Sequence, residues 1–151
     1  MSNDPYQLAL KWLTGRRLTV KELSERLRRR SVSGPECDAT VHRLIELGLL
    51  DDDGYARDLV REASEHLSLG PTGVRNRLFR RGFARDLVDQ AIAGQSWDWV
   101  RIAERVAERY DITDPRSQAR LIRRLIREGF PNQVIRQVIT ISEADGLAEG
   151  I

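Results

Sequence analysis

An internal repeat constrains the fold of this chain more than any other feature of its sequence. The fifteen residues 78–92 recur as residues 125–139, with six identical positions and a constant offset of 47 residues. In both copies a basic segment with helical spacing of apolar residues ends at a glycine, Gly82 or Gly129. An aromatic residue follows, and then a second apolar periodic segment begins. Because glycine commonly ends helices, the pattern predicts two helices joined by a glycine corner, repeated along the chain.

Helix start and stop signals continue through the rest of the 151 residues. Thr19 with Glu22 forms a capping-box pattern, and Asp114 with Pro115 is a cap followed by a proline at the first helical position. We find no candidate strand. We therefore expect an all-α fold of three tandem three-helix, helix-turn-helix-like repeats that form an elongated, curved rod. The predicted repeats are residues 1–50, 51–95 and 96–151, the third with a short C-terminal tail.

Finer expectations concern helix ends. The first repeat aligns less well with the second, and its corner is predicted to be longer, with a loop over residues 31–35. Thr72 and Ser96 are predicted to cap the fifth and seventh helices. The ninth helix is expected to end near Ile141, before a fraying tail over residues 145–151. Trp97 and Trp99 are predicted to point to different sides of the seventh helix.

Composition narrows the class of protein. Lys+Arg number 25 against 23 Asp+Glu, and only Lys11 and Lys21 are lysines. Arginine suits anionic partners, although a GC-rich genome would also favour it over lysine. A single cysteine excludes an internal disulfide. The chain lacks an apolar run near 18 residues and a basic-then-apolar start, so we expect a soluble, cytoplasmic protein without a membrane partner.

The second helix of every predicted repeat is basic. In the third repeat, five arginines fall within an arc of about 100°, and Ala119, Ile122, Leu125 and Ile126 are expected on the opposite side. Equivalent helices of a repeat array tend to line one surface, so these arginines are candidate binding residues for protein carboxylates or phosphates. A solvated helix face is the alternative. The candidates are Arg26, Arg28, Arg29, Arg30, Arg75, Arg77, Arg80, Arg81, Arg116, Arg120, Arg123, Arg124 and Arg127.

Catalytic, metal and cofactor sites are not indicated. Asp51–Asp53 resemble the start of a calcium loop, but Ala56 stands where such a loop needs glycine, so capping is the better interpretation. His42 and His66 lie on separate helices without triad partners, and Cys37 has acidic neighbours that disfavour a thiolate. The glycine-containing segment 70–73 lacks the lysine of a nucleotide loop and predicts a turn. We expect no enzyme and no cofactor.

A series of short motifs follows nearly the whole chain. They are Ala9-Leu10 with Leu13, then Arg17, Glu22-Leu23 and Leu27; Leu44-x-x-x-Gly48-Leu49-Leu50-Asp51-Asp52 with Tyr55-Ala56; and Gly70-x-x-Gly73-Val74 with Leu78 and Gly82-Phe83. No single motif is specific, but their order and spacing together resemble the bacterial RecX family of proteins, which regulate the RecA recombinase. The chain departs from that family at Ser31, where members often have a glycine followed by an aromatic residue.

The resemblance implies a function. Family members are all-helical modular proteins that lie in the groove of the RecA filament on single- or double-stranded DNA. They dampen ATP hydrolysis, strand exchange and co-protease activity and favour filament disassembly, in homologous recombination, DNA repair and the SOS response. The resemblance also implies a monomeric protein that binds DNA directly, but only weakly. The sequence does not separate arginines that contact recombinase from those that contact DNA.

Two other function classes compete with this interpretation. Two helices about a glycine corner can imitate a helix-turn-helix, which would suggest a DNA-binding transcriptional regulator. The helix after the corner carries Arg85, Asp86, Asp89 and Gln90, half of them acidic, which argues against insertion into a DNA groove. A helical enzyme would need an acid–base or metal set that the sequence lacks.

Overall fold

The chain folds into helices over the residues that the structure describes. The structure is a computed structural model that describes the backbone of residues 4–149 and the side chains of residues 4–143. The helices of this part are α1 (Pro5–Gly15), α2 (Val20–Arg29), α3 (Gly34–Glu46), α4 (Asp52–His66), α5 (Pro71–Arg80), α6 (Arg85–Ala93), α7 (Trp99–Ala107), α8 (Pro115–Arg127) and α9 (Asn132–Glu149). The predicted all-α fold is confirmed. Within the described residues, no helix is both long and apolar enough to cross a membrane.

Side-chain caps determine where helices begin. The Thr19 hydroxyl accepts from the Glu22 N–H at 3.1 Å, and the Glu22 carboxylate accepts from the Thr19 N–H at 2.9 Å, which completes the predicted capping box of α2. The Asp114 carboxylate accepts from the Arg116 N–H at 3.2 Å and so caps α8, with Pro115 at its first position. Each cap satisfies N–H groups without a partner inside the helix and contributes about 1 kcal/mol.

Contacts divide the chain into two compact units, each with its own core. Unit 1 comprises Met1–Asp58 and Leu78–Ala91, and unit 2 comprises Leu59–Arg77 and Ile92–Ile151. In unit 1, helices α1 to α3 pack on one another around buried leucines such as Leu23, Leu27 and Leu44. In unit 2, helices α7 to α9 pack around Leu121, Leu125 and Val138. Each predicted repeat range holds three helices, but as domain boundaries the three ranges stay a prediction.

A residue with positive φ follows α2, α5 and α8. These residues are Ser31 at φ 61°, Gly82 at φ 90° and Gly129 at φ 88°. At each corner the N–H of the following residue donates five residues back along the chain, to the carbonyls of Leu27, Leu78 and Leu125, at 3.1, 3.3 and 3.0 Å. This hydrogen bond, beyond a left-handed residue, is the Schellman way of ending a helix. The glycine corner predicted for the second and third repeats is confirmed.

The prediction of a longer first corner is wrong. Four residues separate α2 from α3, as they do α5 from α6 and α8 from α9. Ser31 takes the left-handed position that glycine holds in the other two corners. Ser33 then caps α3 by accepting from the Glu36 N–H at 3.3 Å, which places Pro35 within the first turn of the helix. The first corner therefore matches the others in length and backbone form, although its residue type differs.

Three other helix ends differ from the expectation. Thr72 lies inside α5, because the proline before it takes the first helical position. The cap of α7 is Asp98, which accepts from the Arg101 N–H at 3.1 Å, so Ser96 is not a cap. Helix α9 continues to Glu149 because no proline interrupts it, and an internal glycine costs only about 1 kcal/mol. The expected tail is thus helical up to Glu149, and residues 150–151 lie outside the described part.

Candidate functional site

The largest group of predicted binding residues lies on α8. Arg116, Arg120, Arg123 and Arg127 are exposed. Among the described side chains, no carboxylate lies within ion-pair distance of the first three, and Arg127 approaches Glu128 only at 3.9 Å. Guanidinium groups form their strongest hydrogen bonds with carboxylates and phosphates. The outer face of α8 therefore offers four arginines to an anionic partner.

Arg124, the fifth arginine of this set, is engaged inside unit 2. It is half-buried, and its Nη1 donates to the Tyr110 hydroxyl at 3.4 Å. The hydrogen bond and the nearby Tyr110 oxygen raise the pKa of Arg124. Its Nε atom is buried without a hydrogen-bond partner. Because Arg124 is half-buried and hydrogen-bonded to Tyr110, we assign it to packing more than to binding.

The buried side of α8 is not the one predicted. Ser117, Leu121 and Leu125 face the core, whereas Ile126 is 56 % exposed. Ala119 and Ile122 are only partly buried. Of the four residues predicted to lie opposite the arginines, Leu125 alone is buried. The reason is that α8 packs against α7 and α9 along the row of residues four apart that contains the two leucines, which turns Ile126 outward.

The arginines of α2 lie mainly at its C-terminal end. Arg28, Arg29 and Arg30 are exposed, where the helix dipole favours positive charge. Arg26 is half-buried, and its guanidinium lies 5.7 Å from the centre of the Trp12 ring. Of the predicted residues on this helix, the three consecutive arginines are the ones available to a partner.

The arginines of α5 divide into two kinds. Arg75, Arg77 and Arg80 are exposed. Arg81, just beyond the helix, is instead bound within unit 1: its Nε donates to Glu22 Oε2 at 3.2 Å and its Nη2 to Glu22 Oε1 at 3.3 Å. It also donates a short hydrogen bond to the Tyr55 hydroxyl. Arg81 therefore holds the end of α5 against the start of α2 within unit 1 and is not free to bind a partner.

Electrostatics reinforces the contact between Arg81 and Glu22. Burial opposes the ionisation of Glu22, but hydrogen bonds from the Thr19 backbone and from Arg81 outweigh it and lower the pKa of Glu22. Burial also opposes the charge of Arg81, and the hydrogen bond to Glu22 outweighs it, so the pKa of Arg81 is raised. The guanidinium of Arg17 also lies near this cluster, 4.4 Å from the centre of the Tyr55 ring. Sequence reasoning missed this cluster, because only the capping box pointed to Glu22.

The start of α2 meets the end of α5 within unit 1. The Thr19 hydroxyl donates to the Arg81 carbonyl at 2.8 Å. A Cβ added at Gly82 would lie 2.6 Å from the Lys21 side chain, so the chain segments are in close contact. The N-terminus of one basic helix is thus held at the C-terminus of another.

The start of α5 meets the end of α8 in the same way within unit 2. The N–H of Gly70 donates to the Glu128 carbonyl at 2.9 Å, and the N–H of Thr72 donates to the Gly129 carbonyl at 3.3 Å. A Cβ added at Gly73 would lie 2.2 Å from the Glu128 oxygen. The orphan N–H groups of one helix thereby satisfy the orphan carbonyls of the other. Segment 70–73 is accordingly a packing element, and the prediction of a turn is wrong for residues 71–73, which form the start of α5 because Pro71 takes the first helical position.

The acidic cluster at the start of α4 caps helices. Asp51 accepts from the Gly54 N–H at 3.0 Å, which confirms its capping role. Asp52 accepts from the Val20 N–H at 3.1 Å and so supports the start of α2; burial raises its pKa, aided by the charges of Asp51 and Glu22. In the described part of the chain, no three His, Cys, Asp or Glu side chains are arranged to hold a metal ion.

The two histidines and the cysteine lie in surroundings that do not indicate a catalytic site. His42 and His66 are exposed on their helices beside Glu46 and Glu65, as predicted. Cys37 is buried in the core of unit 1.

The two neighbouring tryptophans do not point to different sides. The rings of Trp97 and Trp99 stack with centres 4.3 Å apart, because Trp97 precedes α7 and donates from Nε1 to the Ile92 carbonyl. The prediction of one inward and one outward tryptophan is therefore wrong.

Comparisons with known proteins agree on one family. The family model described as "RecX, first three-helix domain" matches residues 6–44, which lie in α1 to α3. A regulatory protein RecX from Trichlorobacter lovleyi is 33% identical over 144 residues, covering 90% of this chain and 94% of that protein. One from Pseudomonas putida is 32% identical over 128 residues, covering 82% of this chain and 81% of that protein.

Solved structures have the same fold. The crystal structure of RecX from Lactobacillus salivarius superposes with a TM-score of 0.77 and 25% identity, over 93% of this chain and 95% of that one. A second crystal structure, of a regulatory protein RecX, has a TM-score of 0.79 at 20% identity, over 89% of this chain and 70% of that one, and shows the fold alone. From the relatives and the family model together, the chain belongs to the RecX family of regulatory proteins.

Proposed function

We propose that this protein binds the RecA recombinase filament on DNA and acts mainly as an inhibitor. It dampens ATP hydrolysis, strand exchange and co-protease activity and promotes filament disassembly, and so limits homologous recombination, DNA repair and the SOS response. It acts as a monomer, in the groove of the filament and without chemistry of its own. Because this partner assembles on bacterial DNA, the proposal places the protein in the cytoplasm.

The observation that carries the proposal is the exposed face of α8. Arg116, Arg120 and Arg123 lack an ion-pair partner among the described side chains, although the chain as a whole has nearly balanced charge, with a formal net charge of +2. A helix kept only for solubility would gain from carboxylates three or four residues away from its arginines. Unpaired arginines on one face suit a partner that supplies the negative charge.

The exposed arginines of α2 and α5 support the same proposal. The exposed arginines of the three helices and their ends are Arg28, Arg29, Arg30, Arg75, Arg77, Arg80, Arg116, Arg120, Arg123 and Arg127. Arg26, Arg81 and Arg124 support it indirectly, by holding the helices that carry the others. A surface of this kind allows weak direct binding to phosphates as well, which would weaken as salt concentration rises.

The test is ATP hydrolysis by RecA on single-stranded DNA in the presence of the purified protein. We expect hydrolysis to fall as the protein is raised from sub-stoichiometric to stoichiometric amounts, and electron micrographs of the same mixtures to contain fewer or shorter filaments. Unchanged hydrolysis over this range would contradict the proposal. Bovine serum albumin at the same concentrations controls for crowding.

A helix-turn-helix-like transcriptional regulator is the second candidate, favoured by the two helices on either side of each left-handed corner. Its recognition helix would be α6, where Arg85, Asp86 and Gln90 are exposed. An exposed aspartate there repels the DNA backbone, which weakens this candidate. A DNA footprinting experiment that detects one short protected sequence at nanomolar protein concentration would support the transcriptional regulator.

A further inference from the structure

The arginine face of α8 contains a large apolar side chain that faces solvent. Ile126 is 56 % exposed, next to Arg127 in sequence and one helical turn after Arg123. Residues three apart on a helix are neighbours on its surface, so Ile126 borders the arginines directly. The partly buried Ile122, one turn earlier, continues the apolar strip toward the core of unit 2.

This combination is particular to α8. Large apolar side chains that are exposed in the described part of the chain are Ile45, Leu47, Leu49, Ile126 and Ile141. None of them lies on α2 or α5, whose exposed arginines are accompanied by polar or partly buried residues. An exposed apolar residue alone is common on protein surfaces. Here it borders Arg123, which has no ion-pair partner among the described side chains, so this surface suits a partner that is both anionic and apolar.

We propose that α8 docks onto protein, against an acidic surface with an apolar recess, and that Ile126 fills the recess as an apolar anchor. The inference rests on the proposed function and refines it: α8 would contact the recombinase subunits of the filament and not the DNA phosphates. The charge of the partner follows from complementarity, since Arg120 and Arg123 have no carboxylate partner among the side chains of residues 4–143.

The distinction follows from how the two partners differ. A phosphate backbone is anionic along its whole length, and its affinity for a protein comes from ion pairs, which an exposed isoleucine does not strengthen. A protein interface combines a desolvated apolar centre with arginines at its edge, and truncation of the central residue costs most of the affinity. An exposed Ile126 beside arginines therefore resembles a protein interface more than a phosphate-binding surface.

The experiment compares Ile126→Ser with the unsubstituted protein in two titrations. A fluorescent label on the protein reports binding to RecA filaments held on single-stranded DNA by a non-hydrolysed ATP analogue, and separately to the same DNA without RecA. Burial of an isoleucine side chain is lost in the variant, so affinity for the filament should fall about tenfold. Binding to DNA alone should stay unchanged, and Ile126→Leu should restore most of the filament affinity.

Ile141→Ser is the matched control, because Ile141 is 41 % exposed on α9, outside the arginine face. It should leave filament affinity unchanged. The inference is overturned if Ile126→Ser binds filaments as tightly as the unsubstituted protein, if Ile141→Ser loses as much, or if Ile126→Ser loses affinity for DNA alone to the same degree. If the unsubstituted protein does not bind filaments, the proposed function is wrong as well. If it binds and only the Ile126 result differs from expectation, the inference about α8 alone is wrong.

Discussion

Arg81 and Glu22 are joined by two hydrogen bonds, from Nε at 3.2 Å and from Nη2 at 3.3 Å, although 59 residues separate them in the chain. The pair fastens the end of α5 to the start of α2 inside unit 1. Both side chains are partly buried, at 29 % and 23 % exposure, so solvent screens the pair less than it would an exposed one.

Replacement of Arg81 by alanine should destabilise the protein. The change removes the two hydrogen bonds from Arg81 to the Glu22 carboxylate and the one to the Tyr55 hydroxyl, and losing a charged hydrogen bond of this kind costs about 2 kcal/mol. For a chain of this size the melting temperature should fall by roughly 4–8 °C. Arg80→Ala, one residue earlier and exposed, is the control and should change the melting temperature by less than about 2 °C. Equal melting temperatures for the two variants would contradict the role assigned to Arg81.

The stabilising effect of Glu22 should depend on pH. Its pKa is lowered in the folded protein, so its contribution is present above the unfolded value of about 4.3 and is lost as pH falls through the folded pKa. Glu22→Gln should therefore be less stable than the unsubstituted protein at pH 7, and the difference should shrink below about pH 4. Urea denaturation from pH 7 to pH 3.5 measures this. The same change at exposed Glu25 should give a small difference at every pH, and a Glu22→Gln difference that grows toward acid would refute the account.

Replacement of Gly73 by alanine should disturb the contact between α5 and α8. The added Cβ would lie 2.2 Å from the Glu128 carbonyl oxygen, a backbone atom that cannot move aside alone. Overpacking of this kind costs about 1–3 kcal/mol, more than the gain in helix propensity from glycine to alanine. Gly34→Ala is the control, since a Cβ there meets no atom within 4 Å. Thermal unfolding should rank Gly73→Ala well below Gly34→Ala, and the reverse order would contradict the described junction.

Replacement of Ser31 by glycine should stabilise the protein. Ser31 has φ 61°, a conformation that costs a residue with a side chain about 1–2 kcal/mol and glycine almost none. Part of this gain is offset by the greater freedom of glycine in the unfolded chain, which leaves about 0.5–1 kcal/mol. The same substitution at Ser64, inside α4, should lower stability by about as much. A Ser31→Gly protein with a lower free energy of unfolding would show that the corner is held differently.

The fold was accessible from the sequence because its signals are local. The capping box of Thr19 and Glu22 and the corners at Gly82 and Gly129 involve residues within six positions of one another. The left-handed conformation of Ser31 was not predicted, because serine, unlike glycine, carries no signal for a positive φ.

The candidate site was harder to predict from the sequence, because it depends on which face of each helix packs against the core. The spacing of arginines on α8 placed five of them on one face, and the structure exposes four of these, whereas Arg124 is half-buried. The same spacing failed for Ile126, since the direction of the core is set by contacts with α7 and α9 and not by α8 itself. Likewise, Arg81 looked like its neighbours in sequence, and only its contact with Glu22, 59 positions away, distinguishes it.

The most direct test of the account is charge reversal on α8. We predict that Arg120→Glu, Arg123→Glu and Arg127→Glu combined will raise at least about tenfold the concentration needed to inhibit RecA ATP hydrolysis on single-stranded DNA, because three exposed cations become anions facing an anionic partner. Circular dichroism should remain helical. The matched control reverses Arg101, Arg109 and Arg136, which are also exposed and give the same change in net charge. Inhibition by the α8 variant equal to that of the unsubstituted protein, or an equal loss in the control, would contradict the claim that α8 faces the filament.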